Sequence, residues 1–194
     1  MSTEPDATPV VPDPAPAPAS RRLVWLTFVL AALVIAVDQL TKQWALSTLE
    51  PGVRTHLIGR YLGLQITTNS GAALGLGEGY TWVLTLVVIA VVVVIIRVIS
   101  KIRSRAWAIT LGLLLGGALG NLADRLFREP GFLHGHVIDF IAYWNWFIGN
   151  VADIAIVVAA VLLALLSLLG FGLDGTRESH PKAEAEAAET GPEA

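Results

Sequence analysis

Four long apolar runs constrain the fold of this chain more than any other feature. They cover residues 23–44, 81–99, 106–122 and 151–173 of the 194. A helix of about 20 residues crosses the ~30 Å hydrocarbon layer of a bilayer. Each run is therefore long enough for one crossing, the third only if neighbouring polar residues extend it. The pattern predicts an all-α membrane protein, a bundle of four transmembrane helices, and a soluble helical core is the alternative.

Composition agrees with a membrane protein and excludes several classes of function. Charged residues make up 15% of the chain, against about 25% in a typical soluble domain. The formal net charge is −3 and there is no basic stripe, so nucleic acid is not an expected partner. The chain contains no cysteine, which excludes disulfides, thiolate metal sites, thiol catalysis and lipidation of the chain itself on cysteine.

Both ends of the chain differ in composition from the centre. Residues 1–20 are rich in Pro and Ala and contain no aromatic residue, and residues 174–194 end in KAEAEAAETGPEA. Such segments bury too little apolar surface to offset the entropy lost on ordering, so we predict two disordered cytoplasmic tails around one domain at 21–173. A cleaved signal peptide is not expected, because twenty non-basic residues precede the first run and three more runs follow it.

Basic residues predict which ends of the helices face the cytoplasm. Arg21 and Arg22 precede the first run, and four more basic residues surround the short link between the second and third runs: Arg97, Lys101, Arg103 and Arg105. By the positive-inside rule both termini are then cytoplasmic, and the longer connections at about 45–80 and 123–150 are extracytoplasmic. The first of these contains the alternating piece YLGLQITTN, which predicts a strand or hairpin in a small extracytoplasmic β-containing region.

Polar residues collect at one end of the predicted bundle. Asp or Lys at the centre of a transmembrane helix costs about 2.5–3.5 kcal/mol and less toward the ends, so their positions are informative. With the orientation above, the polar residues near the ends of the runs all reach the extracytoplasmic surface: Asp38, Lys42, Asn69, Asn121, Asp124, Arg125, Asn150 and Asp153. These scattered positions predict one shared site.

Each polar cluster also has a purely structural explanation. Asp38 and Lys42 are four residues apart and can neutralise each other on one helix face. Asp124 continues a stripe of glycines at 112, 116 and 120, which allows close helix contact, so it can serve as a hydrogen-bonding partner of a packed neighbour. Arg125 can snorkel to lipid headgroups or clamp a substrate carbonyl or phosphate.

The acids further along the chain leave the same choice open. Asn150 followed by Asp153 matches a helix N-cap with an acidic third position, which would explain both residues without chemistry. Asp139 is a lone acid in an apolar and aromatic stretch, where desolvation raises a carboxyl pKa, a common property of catalytic acids. His134 and His136 form an H-x-H pair without a third ligand of matching spacing, so a loop pair is favoured over a metal site.

Five motifs resemble those of bacterial lipoprotein signal peptidases (signal peptidase II). Residues 38–42 (DQLTK) resemble D-Q-x-T-K, and residues 69–75 (NSGAALG) resemble N-x-G-A-A-F-G. Residues 116–125 (GGALGNLADR) are similar to G-G-A-x-G-N-x-x-D-R, residues 137–140 (VIDF) to V-x-D-F, and residues 150–153 (NVAD) to N-x-A-D. The resemblance spans about residues 23–170, with the motifs in the family's order and on its side of the membrane.

The sequence departs from the family pattern in three places. Leu74 stands where Phe is usual, and Gly149 stands where a Phe usually precedes Asn150. The connection between Asp124 and Asp139 is longer than usual. Every acidic position of the pattern is retained.

The resemblance implies a membrane aspartic endopeptidase of the bacterial cytoplasmic membrane. It would cleave prolipoproteins on the amino side of a diacylglyceryl-modified cysteine, with no metal or other cofactor. Asp139 and Asp153 would be the catalytic pair, sharing one proton, with one activating a water while the other protonates the scissile carbonyl. The remaining motif residues would bind substrate or shape the site: Asn69, Gly71, Asn121, Asp124, Arg125, Asn150, Asp38 and Lys42.

Prolipoprotein substrates and membrane lipid are the expected partners, and the chain is expected to act as a monomer. A small proton- or ion-coupled transporter is the main alternative function, since clustered intramembrane acids can relay protons. It predicts polar residues throughout the membrane depth, yet the middle of the second run has none. A non-enzymatic scaffold is the second alternative, and it would not require two separate acids.

Overall fold

The computed structural model describes residues 20–71 and 80–177. Within them the chain forms four long helices and one small sheet. In chain order the elements are α1 (Arg21–Thr48), β1 (Thr55–Ile58), β2 (Leu62–Asn69), α2 (Thr81–Ile99), α3 (Arg105–Phe127), β3 (Val137–Tyr143), β4 (Phe147–Gly149) and α4 (Val151–Leu168). Of the predicted tails at 1–20 and 174–194, residues 1–19 and 178–194 lie outside the described residues, as do residues 72–79 with Leu74. Residues 174–177 do not fit the predicted tail: the carbonyl of Thr176 accepts a hydrogen bond from the amide of Gly172, and Arg177 forms a β-bridge with Phe171.

All four helices are long and apolar enough to cross a membrane. The third apolar run reaches the required length because its polar end is helical, so that α3 continues through Asn121, Asp124 and Arg125 to Phe127. The fourth helix was expected to follow its apolar run to about residue 173, and this was wrong, because α4 ends at Leu168. Gly170 adopts a positive φ of 70°, and the amides of Gly170 and Phe171 bond the carbonyls of Ser167 and Leu166, a Schellman motif that ends α4.

Helix α3 is the centre of the bundle and packs against α1, α2 and α4. A methyl group placed on Gly116 would lie 2.6 Å from Val34 Cβ, and one placed on Gly112 would lie 3.0 Å from the carbonyl oxygen of Thr27. The glycine stripe therefore packs directly on α1, which confirms the predicted close contact. On the adjacent row, Gly117 gives the same close approach to the backbone of α4 at Ala152.

The four strands form one antiparallel sheet in the order β1-β2-β3-β4. Strand β2 confirms the strand predicted from the alternating pattern. Strands β3 and β4 were not predicted, although β3 is rich in β-branched and aromatic residues. Because β2 precedes α2 and β4 runs directly into α4, the sheet lies at the end of the bundle where α1 and α3 finish.

The basic residues of the α2–α3 link and of the start of α1 lie at the opposite end of the bundle. There the link between α2 and α3 contacts the segment that follows α4. The backbone amide of Arg103 donates a hydrogen bond to the carbonyl of Leu173. The indole N–H of Trp107, near the start of α3, donates one to the carbonyl of Phe171. Arg21 begins α1 at this same end. The bundle thus has one basic end and one end that holds the sheet.

Candidate active site

Asp139 lies on β3 with its side chain buried at 1% exposure. Its Oδ2 accepts a hydrogen bond from Asn69 Nδ2 at 3.0 Å, and its Oδ1 accepts one from Asn150 Nδ2 at 2.6 Å. Burial raises the pKa of Asp139 to about 6, the nearby Asp153 carboxylate adds to the rise, and the two amides oppose it. The rise predicted from the apolar sequence context is confirmed.

Asp153 stands at the start of α4, in a complete capping box. The backbone amide of Asp153 donates to Asn150 Oδ1 at 3.0 Å, and Asp153 Oδ2 accepts from the backbone amide of Asn150 at 3.0 Å. The capping role is therefore real. It engages only Oδ2, because Oδ1 instead accepts a hydrogen bond from Asn121 Nδ2 at 2.8 Å.

Asn150 connects the two acids. Its side-chain amide donates to Asp139, while its backbone amide and side-chain oxygen form the cap with Asp153. Asn150 Nδ2 also donates to Asn121 Oδ1 at 3.1 Å. Asn150 is fully buried, so these contacts fix the two carboxylates relative to each other with little freedom.

Beneath the two acids lies a buried ion cluster made of Asp38, Lys42 and Asp124. Lys42 Nζ contacts Asp38 Oδ2 at 2.8 Å, Asp124 Oδ2 at 2.7 Å and Asn121 Oδ1 at 3.1 Å. These three acceptors match the three N–H groups of the ammonium. The neutralising pair predicted on α1 is confirmed, and it extends to Asp124 on α3.

Arg125 is 9% exposed, so the snorkelling alternative for this residue is wrong. Its Nη1 is buried and has no hydrogen-bond partner within residues 20–71 and 80–177. A buried unpaired donor costs free energy and calls for an explanation. The guanidinium lies near the two acids, whose charges act on it.

Gly71 and Asn69 form the turn that follows β2. Asn69 Oδ1 accepts a hydrogen bond from the Gly71 amide at 2.8 Å, and Gly71 has a φ of +102°, a region that favours glycine. A Cβ at this position would lie 3.7 Å from Arg125 Nη2. Both ends of the Asn69 amide are thus used within the protein, one of them on Asp139.

Nine of the ten predicted site residues lie in one hydrogen-bonded network, and the tenth, Arg125, is packed beside it. Two contributors were not predicted. Gln39 Nε2 lies within hydrogen-bond distance of Asp38 Oδ2, Asp124 Oδ1 and the carbonyl of Gly120, and Arg128 Nε pairs with Asp124 Oδ1. Gln39 stood inside the DQLTK motif, and Arg128 follows Asp124 by four residues, one helical turn.

An apolar cavity of about 220 Å³ adjoins the site at Asp153. Asp153 is its acidic lining residue, and Tyr143, Phe147, Ile154 and Val157 are among the others. The rings of Tyr143 and Phe147 stack at 4.7 Å. By contrast, His136 lines a separate cavity together with Thr68 and Ile138. Because side chains alternate along a strand, Thr68 and Ile138 lie on the opposite face of the sheet from Asp139.

Comparison with known proteins agrees with this arrangement. Residues 30–169 match the family Peptidase_A8, described as signal peptidase (SPase) II. The chain belongs to the signal peptidase II family. It is 48% identical over 169 residues to the lipoprotein signal peptidase of Rhodococcus jostii (strain RHA1), covering 87% of this chain and 84% of that protein. It is 44% identical to that of Mycobacterium tuberculosis (strain ATCC 25618 / H37Rv), covering 86% and 81%.

The fold is also similar to a solved structure titled "Bacterial membrane enzyme structure by the in meso method at 1.9 A resolution". The TM-score is 0.64 at 26% identity, covering 73% of this chain and 92% of that chain. This signal peptidase II is therefore a peptidase and a bacterial multi-pass membrane protein. Nothing in these comparisons supports the transporter alternative.

Proposed function

We propose that this enzyme removes signal peptides from prolipoproteins by cutting on the amino side of a diacylglyceryl-modified cysteine, with Asp139 and Asp153 as its catalytic pair. The observation that carries the proposal is the bridge through Asn150, which bonds one acid with its side-chain amide and caps the other. A bridge of this kind holds two carboxylates at a fixed separation. Fixed separation is what a proton-sharing pair needs.

The two acids have different surroundings, which suits different roles. Burial raises the pKa of Asp139 to about 6, and this supports Asp139 as the carrier of the shared proton. Asp153 lines the apolar cavity, where a peptide bond can approach it. One carboxylate takes a proton from water as the other protonates the carbonyl oxygen, and the roles reverse when the amine leaves.

Arg125 supplies a donor for the substrate. Its buried Nη1 has no partner within the part of the chain that the structure describes, and a substrate carbonyl or phosphate oxygen satisfies such a donor. The role of Asn69 is not limited to substrate binding. Since its amide bonds Asp139 and its oxygen bonds the Gly71 turn, it orients the acid.

The orientation in the membrane follows from the two ends of the bundle. The basic end faces the cytoplasm, with both termini, and the sheet and the acids face outward. Substrate acyl chains then stay in lipid beside the exposed apolar face of α4, where Val157, Val161 and Leu165 lie. A monomer is the proposed working unit.

The substrate requirement is tested with the purified enzyme and two forms of one prolipoprotein. The diacylglyceryl-modified form should be cleaved to a product that begins at the modified cysteine, as read by mass spectrometry of both fragments. The unmodified precursor should not be cleaved at a comparable rate. Equal cleavage of both forms, or a cut at another bond, would contradict the proposed specificity.

A further inference from the structure

Each acid of the proposed pair follows a residue whose backbone amide is held by a buried carboxylate. The amide of Ile138, just before Asp139, donates to Asp124 Oδ2 at 3.2 Å. The amide of Ala152, just before Asp153, donates to Asp38 Oδ1 at 2.9 Å. Lys42 joins the two holding carboxylates, so the ion cluster connects the strand that carries one acid to the helix that carries the other.

The cluster needs a second cation. Asp38, Lys42 and Asp124 are each buried at 1% exposure or less, and with all three ionised their charges sum to −1. A net charge buried without a partner is strongly destabilising. Within residues 20–71 and 80–177, the second cation in contact with these carboxylates is Arg128, through Asp124 Oδ1. Arg128 brings the sum over these four groups to zero. The charge of Arg125 also acts on Asp124, but without an ion pair.

Arg128 also determines how Asp124 is turned. Arg128 Nε and Gln39 Nε2 occupy Asp124 Oδ1. The other oxygen, Oδ2, is thereby directed at Lys42 and at the amide of Ile138. A carboxylate with both oxygens engaged has a fixed plane. Without Arg128, Gln39 alone holds Oδ1, so the plane of the carboxylate is less constrained and the hold on the Ile138 amide loosens.

We propose that Arg128 is a positioning residue for catalysis, which acts through Asp124 and Ile138 to set the place of Asp139. The proposal rests on the proposed function of Asp139 and Asp153. Arg128 itself lies at the end of α3, with its side chain 23% exposed. It lines the cavity beside Ile138 and Thr68, away from the face that bears Asp139, so it does not meet the scissile bond.

An ordinary surface ion pair is the competing explanation. Exposed pairs contribute little to stability, and on this explanation the loss of Arg128 would leave kcat unchanged. Asp124 does not fit that description, because its carboxylate is 0% exposed. Loss of Arg128 leaves a buried carboxylate short of one partner.

The test compares Arg128→Met, which keeps the length of the stem, with Arg128→Lys, which keeps the charge but lacks the guanidinium N–H pattern. Cleavage of a diacylglyceryl-modified prolipoprotein is measured at varied substrate concentration. For Arg128→Met, kcat should fall roughly 10- to 100-fold, because a small misplacement of a reacting group costs that much. KM should change little, since Arg128 does not touch substrate, and Arg128→Lys should lose less kcat.

Arg54→Met is the matched control. Arg54 also donates through Nε to a side-chain oxygen, that of Gln65 at 2.9 Å, and it also lies on the sheet side of the bundle. Its contacts do not include the ion cluster. Its kcat should stay within about twofold of the unaltered enzyme, as expected for a change outside the site.

The folded fraction of each variant is measured by size exclusion and thermal unfolding, and kcat is expressed per folded enzyme. A lowered kcat at unaltered KM supports the proposal. An unchanged kcat for Arg128→Met, a change in KM alone, or a loss explained entirely by the folded fraction overturns it. If Arg128→Met yields no folded protein, Arg128→Lys decides: lowered kcat supports the proposal and unchanged kcat overturns it.

Failure of this inference is distinct from failure of the proposed function. If Asp139→Asn and Asp153→Asn abolish cleavage while the Arg128 variants keep full kcat, only the positioning role is removed. If either aspartate variant keeps cleavage, the catalytic pair itself is wrong, whatever the Arg128 variants do.

Discussion

Asp139 shows how opposing effects at one residue set a protonation state. Burial raises the pKa of this carboxyl from 3.8 to about 6, and the Asp153 carboxylate acts in the same direction. The amides of Asn69 and Asn150 stabilise the charged form and limit the rise. The balance leaves a carboxyl that is titrated near neutral pH, as proton transfer in both directions requires.

The raised pKa predicts a pH-dependent difference in stability between the enzyme and Asp139→Asn. The folded state holds the Asp139 proton more tightly than the unfolded state, so its contribution to stability is complete below about pH 4 and is lost as the pH rises toward about 6. The Asn variant lacks this loss. Its melting temperature relative to the unaltered enzyme should therefore rise between these two pH values and then level off.

Thermal unfolding in one detergent at a series of pH values checks this. Glu50→Gln is a suitable control, because Glu50 is exposed and lies outside the site. A stability difference between the enzyme and Asp139→Asn that stays constant through about pH 4 to 6 would mean that Asp139 is not titrating with a raised pKa.

At the scale of elements, the glycine face of α3 lets the site assemble. Gly120 leaves room for Asp38, since a methyl group there would lie 2.7 Å from Asp38 Oδ2. Gly116 and Gly112 lie one and two turns before Gly120 in α3, and they allow the same close approach to α1. Close approach of α1 and α3 allows a lysine on one helix to reach carboxylates on both.

Gly116→Leu should therefore destabilise the bundle. The first added carbon would lie 2.6 Å from Val34 Cβ and 2.9 Å from the carbonyl oxygen of Ala31, so the helices must separate. Overpacking of this kind costs about 1–3 kcal/mol or more. We expect lower yield and a lower melting temperature, with Ile109→Leu on the exposed side of the same helix as the control. Unaltered melting of Gly116→Leu would place this face of α3 away from α1.

The parts of the fold that could be predicted are those with a local signal. Apolar length predicted the four helices, and the alternation in YLGLQITTN predicted β2. Strand β3 was missed because residues 137–142 are buried or nearly so on both faces, which removes the alternation that marks a half-buried strand. The end of α4 was misplaced because apolar residues continue past Gly170, whose left-handed conformation stops the helix.

The site could be predicted as a set of residues but not as a network. End-of-span positions showed that the polar residues share one surface. They did not show that Asn150 bonds both acids or that Asn69 bonds Asp139, because these contacts join residues 11 and 70 positions apart. The ion pair of Arg128 with Asp124 was also hidden, since a basic residue just after a span is expected to be solvated.

The whole molecule is organised by its two unlike ends. One end carries the basic residues of the α2–α3 link and of the start of α1, and the contacts between that link and the segment after α4. The other carries the sheet and the acids, and the intervening helices are almost free of charge. A hydrolytic site at the edge of a bilayer has access both to water and to a lipid-anchored substrate.

This arrangement predicts the topology in the membrane. Reporter fusions after Ser104 should lie in the cytoplasm, because that link is basic, and fusions at Gly59 or Gly131 should lie outside. Alkaline phosphatase and a cytoplasmic fluorescent protein provide opposite readouts of the same positions. Cytoplasmic signals from both Gly59 and Gly131 would invert the bundle and remove the basis for an outward-facing site.

The central claim is that Asp139 and Asp153 act as one proton-sharing unit, and a kinetic comparison of three variants tests it most directly. Asn keeps the size of Asp but cannot accept the proton, so Asp139→Asn and Asp153→Asn should each abolish measurable cleavage of a diacylglyceryl-modified prolipoprotein, with the folded fraction retained. The double variant should be hardly worse than either single one, because residues that act as a unit are not additive. If Asp153 served only to cap α4, Asp153→Asn would lose about 0.5–2 kcal/mol of stability at most and would still cleave. Robust cleavage by either folded single variant would contradict the account.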